Sequence, residues 1–327
     1  MYEAELQTAL SAVRKAIALA EHVAAGLTAD GAMTKADASP VTVADYGVQA
    51  IIHRALAAAY PGDPIVAEED ADDLTNPGNR VLAAMLMRAL EEASSGWTAA
   101  SVVEHIGRGR HAGGAEGRFW TLDPIDGTKG FLRGDQYAIA LALIEQGRPV
   151  LGVLGCPRLR LSVLDGGAAT GWICHATASG AFAQPIAGGD VHALRTSPVH
   201  RTDDLVMCES VESGHSAHDV SALIAGALGL HRAPVRMDSQ AKYAAVAAGE
   251  ADVYLRLPTK SSYREKIWDH AAGAVLVEQA GGTVRDVRGV PLDFSRGRTL
   301  ADNRGVIASA SAVHASIVNV VAPHFPG

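Results

Sequence analysis

Two aspartates flank a proline near the middle of the chain, in the stretch DPIDGT at residues 123–128. An apolar, aromatic approach predicts a buried strand that ends at Asp123. Pro124 has no N–H to donate, so we expect the chain to leave the strand there. The turn can then direct the carboxylates of Asp123 and Asp126 and the Ile125 carbonyl at one place. Hard oxygen ligands of this kind suit Mg²⁺, which keeps several water ligands and also coordinates substrate phosphate.

The two residues after the second aspartate add to this interpretation. Gly127 has no side chain, so a backbone N–H could approach a phosphate oxygen there, and the Thr128 hydroxyl could hold a water. A tight turn with capping aspartates is the alternative, and a single DPxDG stretch does not decide between the two.

Further acids stand where elements begin or end. Glu68 and Glu69 follow a short predicted strand at 65–67, Asp269 stands at the start of a predicted helix, and Asp45 begins another. Asp45 and Asp269 could be helix N-caps, and the two glutamates could form a solvated acidic turn. If these acids meet instead, cations must neutralise them, because like charges at close range would force protonation. Two-cation phosphoryl transfer needs such a cluster.

The elements that must position these residues follow from the apolar pattern. The pattern predicts helices over residues 3–25, 45–59, 76–92, 240–248 and 268–280 and after Ser311, and a surface loop over 105–117. It predicts strands over 136–145, 150–154, 161–164, 205–208, 251–257 and 306–308, with short strands between 171 and 196. No helix of normal length is expected from 136 to 204, so sequential strands should form a large, mainly antiparallel sheet.

Composition sets limits on function. The 327 residues, 48% of them hydrophobic, can form one large domain or two lobes, and we expect lobes over 1–197 and 198–327. The net charge of −8 and the absence of a basic run argue against nucleic acid as a partner. No apolar run approaches the roughly 20 residues of a membrane span, so no membrane partner is expected. Three scattered cysteines fit a reducing, cytoplasmic location. The chain is expected to be a monomer or a homodimer.

Taken together, the motifs resemble a known family. DPIDGT, the upstream EED and WDHAAG followed by a GG turn resemble the inositol monophosphatase-like, Mg²⁺-dependent, lithium-sensitive phosphatases. SPVTVADYGVQA, KGFLRGDQYA, DSQAKY and ADVYLRLPTKSSYREKIWDHAAG resemble its 3′(2′),5′-bisphosphate nucleotidase branch. The resemblance covers nearly the whole chain. It implies an α/β (α+β) fold, the layered αβαβα sandwich of the inositol monophosphatase/fructose-1,6-bisphosphatase type, with two or three Mg²⁺ per site.

The resemblance also implies roles for individual residues. The implied metal ligands are the side chains of Glu68, Asp123, Asp126 and Asp269 and the main-chain carbonyl of Ile125. Asp45 and Thr128 match the pair that orients and deprotonates the attacking water, which Glu68 also helps to hold, and Glu69 matches an acidic neighbour. Substrate contacts are implied for Gly127, Thr128, His215, Ser239, Lys242, Arg256 and Asp269.

Two of the substrate assignments have alternatives. The stretch GHSAHD offers His218 as well as His215. Lys242 lies three residues after Ser239, on one face of a helix, where its charge suits a phosphate that the metals do not hold. A surface lysine with a capping serine is the alternative.

The expected activity is that of a Mg²⁺-dependent phosphomonoesterase. The expected partner is a small phosphorylated substrate, 3′-phosphoadenosine 5′-phosphate, hydrolysed to AMP and phosphate by in-line attack of a water. The same chemistry on inositol monophosphate, histidinol phosphate or a biosynthetic sugar or nucleotide phosphate remains an alternative. A nucleotide-binding sensor without turnover and a scaffold protein are further alternatives, and the acidic set argues against both.

Overall fold

The computed structural model describes residues 1–29, 40–212, 218–260 and 262–325. The helices are α1 (Glu3–Ala29), α2 (Pro40–Ala59), α3 (Asp72–Thr75), α4 (Arg80–Ala93), α5 (Ala99–Gly107), α6 (Thr128–Arg133), α7 (Ser162–Asp165), α8 (His218–Leu228), α9 (Ala241–Ala248), α10 (Ala271–Gln279) and α11 (Ser311–Val321). The strands are β1 (Ile65–Ala67), β2 (Arg118–Asp126), β3 (Ala138–Glu145), β4 (Arg148–Cys156), β5 (Trp172–Thr177), β6 (Gly180–Pro185), β7 (His192–Ala193), β8 (Met207–Glu209), β9 (Val235–Arg236), β10 (Val253–Arg256), β11 (Gly282–Arg285) and β12 (Val306–Ala310).

Two sheets organise these strands. The first holds β1 to β7 in sequence order, with β1 parallel to β2 and every later pair antiparallel. The mainly antiparallel sheet predicted from the sequential strands is therefore confirmed. The second sheet has the order β11-β12-β10-β8-β9, in which β10 is antiparallel to β12 and parallel to β8. The parallel pairs need long crossover connections, which α8 and α9 help to supply.

Helices alternate with the two sheets in layers. One apolar core joins α1 and α2 to the first sheet, a second joins the opposite face of that sheet to α9, α10 and the second sheet, and a third lies between the second sheet and α8 and α11. The close approach of α10 depends on Gly152 of β4, where an added Cβ would lie 2.7 Å from the Ala272 carbonyl oxygen. The expected αβαβα arrangement is confirmed.

Four local predictions are wrong, and the first three concern the bounds and types of elements. Helix α2 begins at Pro40 and not at residue 45; proline is favoured in the first helical turn, where its missing N–H needs no partner. Residues 162–165 form a single helical turn, α7, instead of a strand, and a left-handed Gly166 ends it. The first three residues of the predicted loop 105–117 belong to α5. Short apolar runs do not distinguish a strand from a helical turn.

The chain does not leave the strand at Pro124. Strand β2 continues to Asp126, and its register against β3 shifts between Asp123 and Asp126. Proline cannot donate to the ladder, so the strand accommodates it in a bulge, which redirects the side chains beside it.

Two features bear on the environment of the chain. Cys156, Cys174 and Cys208 are buried free thiols. Within the described ranges, no helix has both the length and the apolar character that a membrane crossing requires.

Candidate active site

The acids of the two short motifs meet at one edge of the first sheet. Strands β1 and β2 run parallel with Ala67 opposite Leu122, so the next residues, Glu68 just after β1 and Asp123 still within β2, lie side by side. The Glu68 N–H donates to the Leu122 carbonyl at 3.3 Å, which fixes this register at the strand end. The two carboxylates are close enough for their charges to interact.

The bulge after Asp123 shapes the next part of the site. Gly127 adopts a left-handed conformation (φ +86°) directly before α6, and a Cβ there would lie 3.0 Å from the Ser239 Cβ. Only glycine accommodates both conditions without strain. The Thr128 hydroxyl donates to the Ile125 carbonyl at 3.4 Å. The turn therefore gathers backbone and side-chain oxygens within one short segment.

The residues at the N-terminal ends of α9 and α10, two helices that lie between the sheets, complete the site. The Gln240 N–H donates to Asp126 Oδ2 at 2.5 Å. The Gln240 side chain donates to the Trp268 carbonyl at 2.9 Å and accepts from the Gly273 N–H at 3.2 Å. This one glutamine joins the start of α9 to the start of α10, which places Asp269 opposite the strand ends of the first sheet.

These segments enclose a cavity of about 560 Å³. The proposed site residues in its wall are Glu68, Asp123, Ile125, Asp126, Gly127, Thr128, Ser239, Lys242, Arg256 and Asp269. Asp45 is not among the residues that line the cavity. His215 and the side chain of His218 fall outside the described residues. Apart from Asp45 and the two histidines, the structure thus brings together the acidic and cationic groups that the sequence indicated.

The electrostatics of the acids indicate an uncompensated cluster. Burial, followed by the charge of Asp269, raises the pKa of Glu68 to about 7, although the side chain still meets solvent in the cavity. Burial and the neighbouring charge of Glu68 raise the pKa of Asp123 well above its ordinary value. The pKa values of Asp126 and Asp269 are raised as well, mainly by burial. Such shifts are typical of carboxylates that lack a cation.

One atom tests whether a metal ion fits. The Oδ1 atom of Asp123 is buried, and within the described part of the chain it has no hydrogen-bond partner. An unpaired buried carboxylate oxygen is costly, and a bound cation would satisfy it. The charged groups that act on Asp123 are all carboxylates, those of Glu68, Asp126, Asp269 and Asp45. The donor set therefore fits a hard cation such as Mg²⁺.

Asp45 lies next to this cluster without reaching the cavity. Its side chain is 7% exposed, and burial, then the charges of Glu69 and Glu68, raise its pKa well above the ordinary value. Gln49 holds the main chain of Glu69 through two hydrogen bonds of 2.8 and 3.3 Å. In the described part of the chain, no hydrogen bond joins Asp45 to Thr128, whose hydroxyl bonds the Ile125 carbonyl.

Lys242 is a buried cation and not a surface residue. Its Nζ donates to the Met237 carbonyl at 3.0 Å and lies 5.1 Å from the centre of the Tyr254 ring. Burial lowers its pKa to about 8, while the charge of Asp126 opposes this effect. The alternative of a solvated surface lysine is therefore wrong, and the ammonium group faces the cavity that contains the acids.

Arg256 contacts both an acid of the cluster and an acid that the sequence analysis did not single out. Its guanidinium lies 2.7 Å from Glu265 Oε2 and 3.4 Å from Asp269 Oδ2. Glu265 also lies 3.1 Å from His270 Nε2, and His270 Nδ1 lies 2.6 Å from the Tyr243 hydroxyl. Glu265, His270 and Tyr243 thus fix Arg256 beside Asp269. The first two lie within the EKIWDH stretch, which was the available signal.

Comparison with known proteins is consistent with this site. A family model described as the inositol monophosphatase family matches residues 1–324. The 3′(2′),5′-bisphosphate nucleotidase of Schizosaccharomyces pombe is 45% identical over 99% of this chain and 98% of its own length. The proteins of the same name from Emericella nidulans and Oryza sativa are 41% and 42% identical, each over 98% of this chain and over 98% and 94% of their own lengths.

Solved structures agree on the fold. Mycobacterium tuberculosis SuhB superimposes with a TM-score of 0.63 at 21% identity, over 98% of this chain and 97% of its own. The inositol monophosphatase-II of Staphylococcus aureus gives 0.63 at 18% identity, over 99% and 94%. With a family model that spans nearly the whole sequence and full-length relatives above 40% identity, the chain belongs to the inositol monophosphatase family.

Proposed function

We propose that the chain is a Mg²⁺-dependent phosphomonoesterase that removes the 3′-phosphate of 3′-phosphoadenosine 5′-phosphate and releases AMP. The observation that carries this is the full-length identity of 39–45% to several proteins named 3′(2′),5′-bisphosphate nucleotidase. The cavity supports it, because acidic oxygens and the buried ammonium of Lys242 line the same wall. In a substrate with two phosphates, the acids would hold the cations at the reacting phosphate and the Lys242 ammonium would contact the other one.

The family and its fold generally use Mg²⁺. In this chain the ligands would be Glu68, Asp123, Asp126, Asp269 and the Ile125 carbonyl. Bound Mg²⁺ supplies positive charge at the phosphate and lowers the pKa of a water.

The side chains have separate tasks in the proposed reaction. Glu68 and Thr128 orient the attacking water. Asp45, whose pKa is raised, assists as the base, and because it does not line the cavity it would take up the proton by way of the Thr128 hydroxyl. The N–H groups of Gly127 and Thr128 contact the reacting phosphate. Placing nucleophile and phosphorus in line within a fixed site removes much of the entropic barrier.

The remaining substrate contacts belong to the groups away from the acids. Ser239, Lys242 and Arg256 contact the nucleotide, with His215 as a further contact. Arg256 is already fixed by Glu265, so it presents its remaining donors in a set orientation. A preorganised guanidinium of this kind recognises phosphate well.

The same acids would also serve hydrolysis of a cyclitol phosphate, and the family model, which is described by inositol monophosphatase, favours this second candidate. Phosphate release from 3′-phosphoadenosine 5′-phosphate, AMP and inositol monophosphate separates the two. We expect the bisphosphate to have the highest kcat/KM and to yield AMP. Preference for inositol monophosphate would replace the nucleotidase proposal.

We also infer two lobes, 1–197 and 198–327, because strands up to β7 (His192–Ala193) form the first sheet and strands from β8 (Met207–Glu209) form the second. A cytoplasmic location is proposed as well, supported by the three free thiols. The proposed assembly is a monomer or a homodimer.

A further inference from the structure

The loop that follows α5 runs along the free edge of strand β1. The Ala67 N–H donates to the Gly109 carbonyl at 2.9 Å, and the His111 N–H donates to the Ile65 carbonyl at 3.0 Å. Val66 and Arg110 form an isolated antiparallel bridge between these two bonds. Residues 109–111 therefore act as a short extra strand beside β1, which ends one residue before Glu68.

The loop can lie this close because of one glycine. A Cβ at Gly109 would lie 2.8 Å from the Ala67 Cβ and 3.2 Å from the Gln49 side chain. Any side chain there would push the loop away from β1. Gly109 thus helps to hold β1, and with it Glu68, in place, although it does not line the cavity.

A single arginine from a distant part of the sequence fastens this edge. Arg298 Nη1 donates to the carbonyls of Gly109 and His111, each at 3.1 Å, and its Nη2 donates to the Ala67 carbonyl at 2.5 Å. Three carbonyls from the loop and the strand converge on one guanidinium. Its planar arrangement of donors suits this task, and a lysine could not reproduce it.

The same residue is attached to the other side of the site. The Arg298 guanidinium lies 4.8 Å from the centre of the Trp268 ring. The main-chain carbonyl of Arg298 accepts a hydrogen bond from the Ile267 N–H at 3.2 Å. Lys266 and Thr299 form a bridge in the same pair of segments, and the Leu300 N–H donates to the Glu265 carbonyl at 2.8 Å. Residues 298–300 therefore lie alongside 265–267, which precede Trp268 and Asp269 in the chain.

We propose that Arg298 is a positioning residue that sets the separation of Glu68 and Asp269, and that residues 109–111 are the segment through which it holds β1. Glu68 follows strand β1 of the first sheet, whereas Asp269 lies just before helix α10. Their like charges push the two carboxylates apart when no cation is bound. Arg298 contacts the residues directly before both of them. The inference rests on the ligand set of the proposed function, and its effect should be seen first in metal affinity.

The test compares Arg298→Ala and Arg298→Lys with Arg296→Ala. Arg296 is a matched control, because it lies on the same loop but bonds the exposed acids Asp293 and Asp302. The first readout is Mn²⁺ binding without substrate, followed by the electron paramagnetic resonance signal of free Mn²⁺. The second is phosphate release from 3′-phosphoadenosine 5′-phosphate as a function of Mg²⁺ concentration.

We expect Arg298→Ala to weaken Mn²⁺ binding about 10- to 100-fold, the usual cost of removing a group that orients metal ligands. Activity in that variant should recover in part at high Mg²⁺, measured at a temperature where the variant is folded without added metal, so that stabilisation of the fold by Mg²⁺ does not account for the recovery. Arg298→Lys keeps the charge but not all three carbonyl contacts, so its Mn²⁺ affinity should lie between those of Arg298→Ala and the wild type. Arg296→Ala should bind Mn²⁺ as the wild type does.

Wild-type Mn²⁺ affinity in folded Arg298→Ala overturns the inference, and so does an equal loss in Arg296→Ala. If Arg298→Ala does not fold, Arg298→Lys decides the question: weaker Mn²⁺ binding supports the inference, and wild-type binding overturns it. Failure of the proposed function has a different signature, since the wild type would then release no phosphate from the bisphosphate nucleotide while the comparison of Mn²⁺ affinities stays valid.

Discussion

The main-chain N–H of Gln240 donates a 2.5 Å hydrogen bond to the Asp126 carboxylate. Asp126 ends a strand of the first sheet, whereas Gln240 immediately precedes helix α9 between the two sheets. One oxygen of the carboxylate is therefore occupied by the fold, and the other remains for a cation. This division of roles makes Asp126 a position where charge and hydrogen bonding can be separated by substitution.

Asp126→Asn should leave the protein folded but almost inactive. The amide oxygen can still accept from the Gln240 N–H, so the melting temperature should change little. The site loses one negative charge from a cluster that must hold a cation, and phosphate release at saturating Mg²⁺ should fall at least about 100-fold. Thermal denaturation and a phosphate-release assay measure the two effects.

Asp135→Asn is the matched control, because Asp135 is an exposed acid nearby that pairs only with Arg133 among the described residues. Its turnover should equal that of the wild type. Near wild-type turnover in Asp126→Asn at saturating Mg²⁺ would falsify the ligand assignment.

The acidic part of the site could be predicted from sequence because its position depends on local rules. Glu68 follows one apolar strand and Asp123 lies near the end of another, and side chains near the ends of neighbouring parallel strands lie together once the strands pair. Pro124 marked the irregularity, although the strand continues through it as a bulge. The mainly antiparallel order of the first sheet followed from strands that are consecutive in sequence.

The supports of the site could not be predicted in the same way. Arg298 bonds carbonyls at positions 67, 109 and 111, and no periodicity or spacing identifies such partners. The burial of Lys242 likewise depends on how α9 packs between the sheets. Tertiary contacts between distant segments decide these positions, and local preferences do not contain them.

Replacing Glu68 should change how stability depends on pH in the metal-free protein. The folded-state pKa of Glu68 is about 7, above the ordinary value of about 4.3, so the folded state keeps a proton that the unfolded state has lost. Its contribution to stability is therefore present below the ordinary pKa and is lost as pH rises towards 7. Glu68→Gln carries no such charge, so in EDTA it should melt above the wild type near neutral pH.

The comparison of the two proteins matters because other groups act with the opposite sign. Burial lowers the pKa of His53 to about 4, so its contribution falls as pH drops below 6.5. Subtracting the melting temperatures of wild type and Glu68→Gln removes that common effect. The difference should grow between pH 5 and pH 7, and excess Mg²⁺ should reverse its sign. A difference that is constant with pH contradicts the raised pKa.

Lithium provides a test that needs no substitution. Sensitivity to Li⁺ is typical of the family, and in the proposed site the cation would take the place of a Mg²⁺ that is needed after bond cleavage. Phosphate release should fall with added LiCl and not with the same concentration of KCl. Because both salts screen charge equally, identical responses would count against this architecture.

Lys242→Met should distinguish the nucleotidase from a general phosphatase. Methionine matches the buried volume and removes the ammonium that faces the cavity. A charge-assisted contact to a second phosphate is worth about 1.5–3 kcal/mol, so kcat/KM for a 3′,5′-bisphosphate should fall about ten- to a hundred-fold. Inositol monophosphate has no second phosphate to lose, and its turnover should barely change. The measured quantity is the ratio of the two kcat/KM values in wild type and variant.

Lys129→Met serves as the control for removing a charge from the same cavity. The ammonium of Lys129 is exposed and bonds Glu212 at 2.9 Å, so its loss should leave the ratio near the wild-type value. If Lys242→Met lowers both substrates equally, Lys242 supports the fold and does not contact a second phosphate. If Lys129→Met lowers the ratio as much as Lys242→Met does, the cavity responds to its total charge, because a specific contact would distinguish the two lysines.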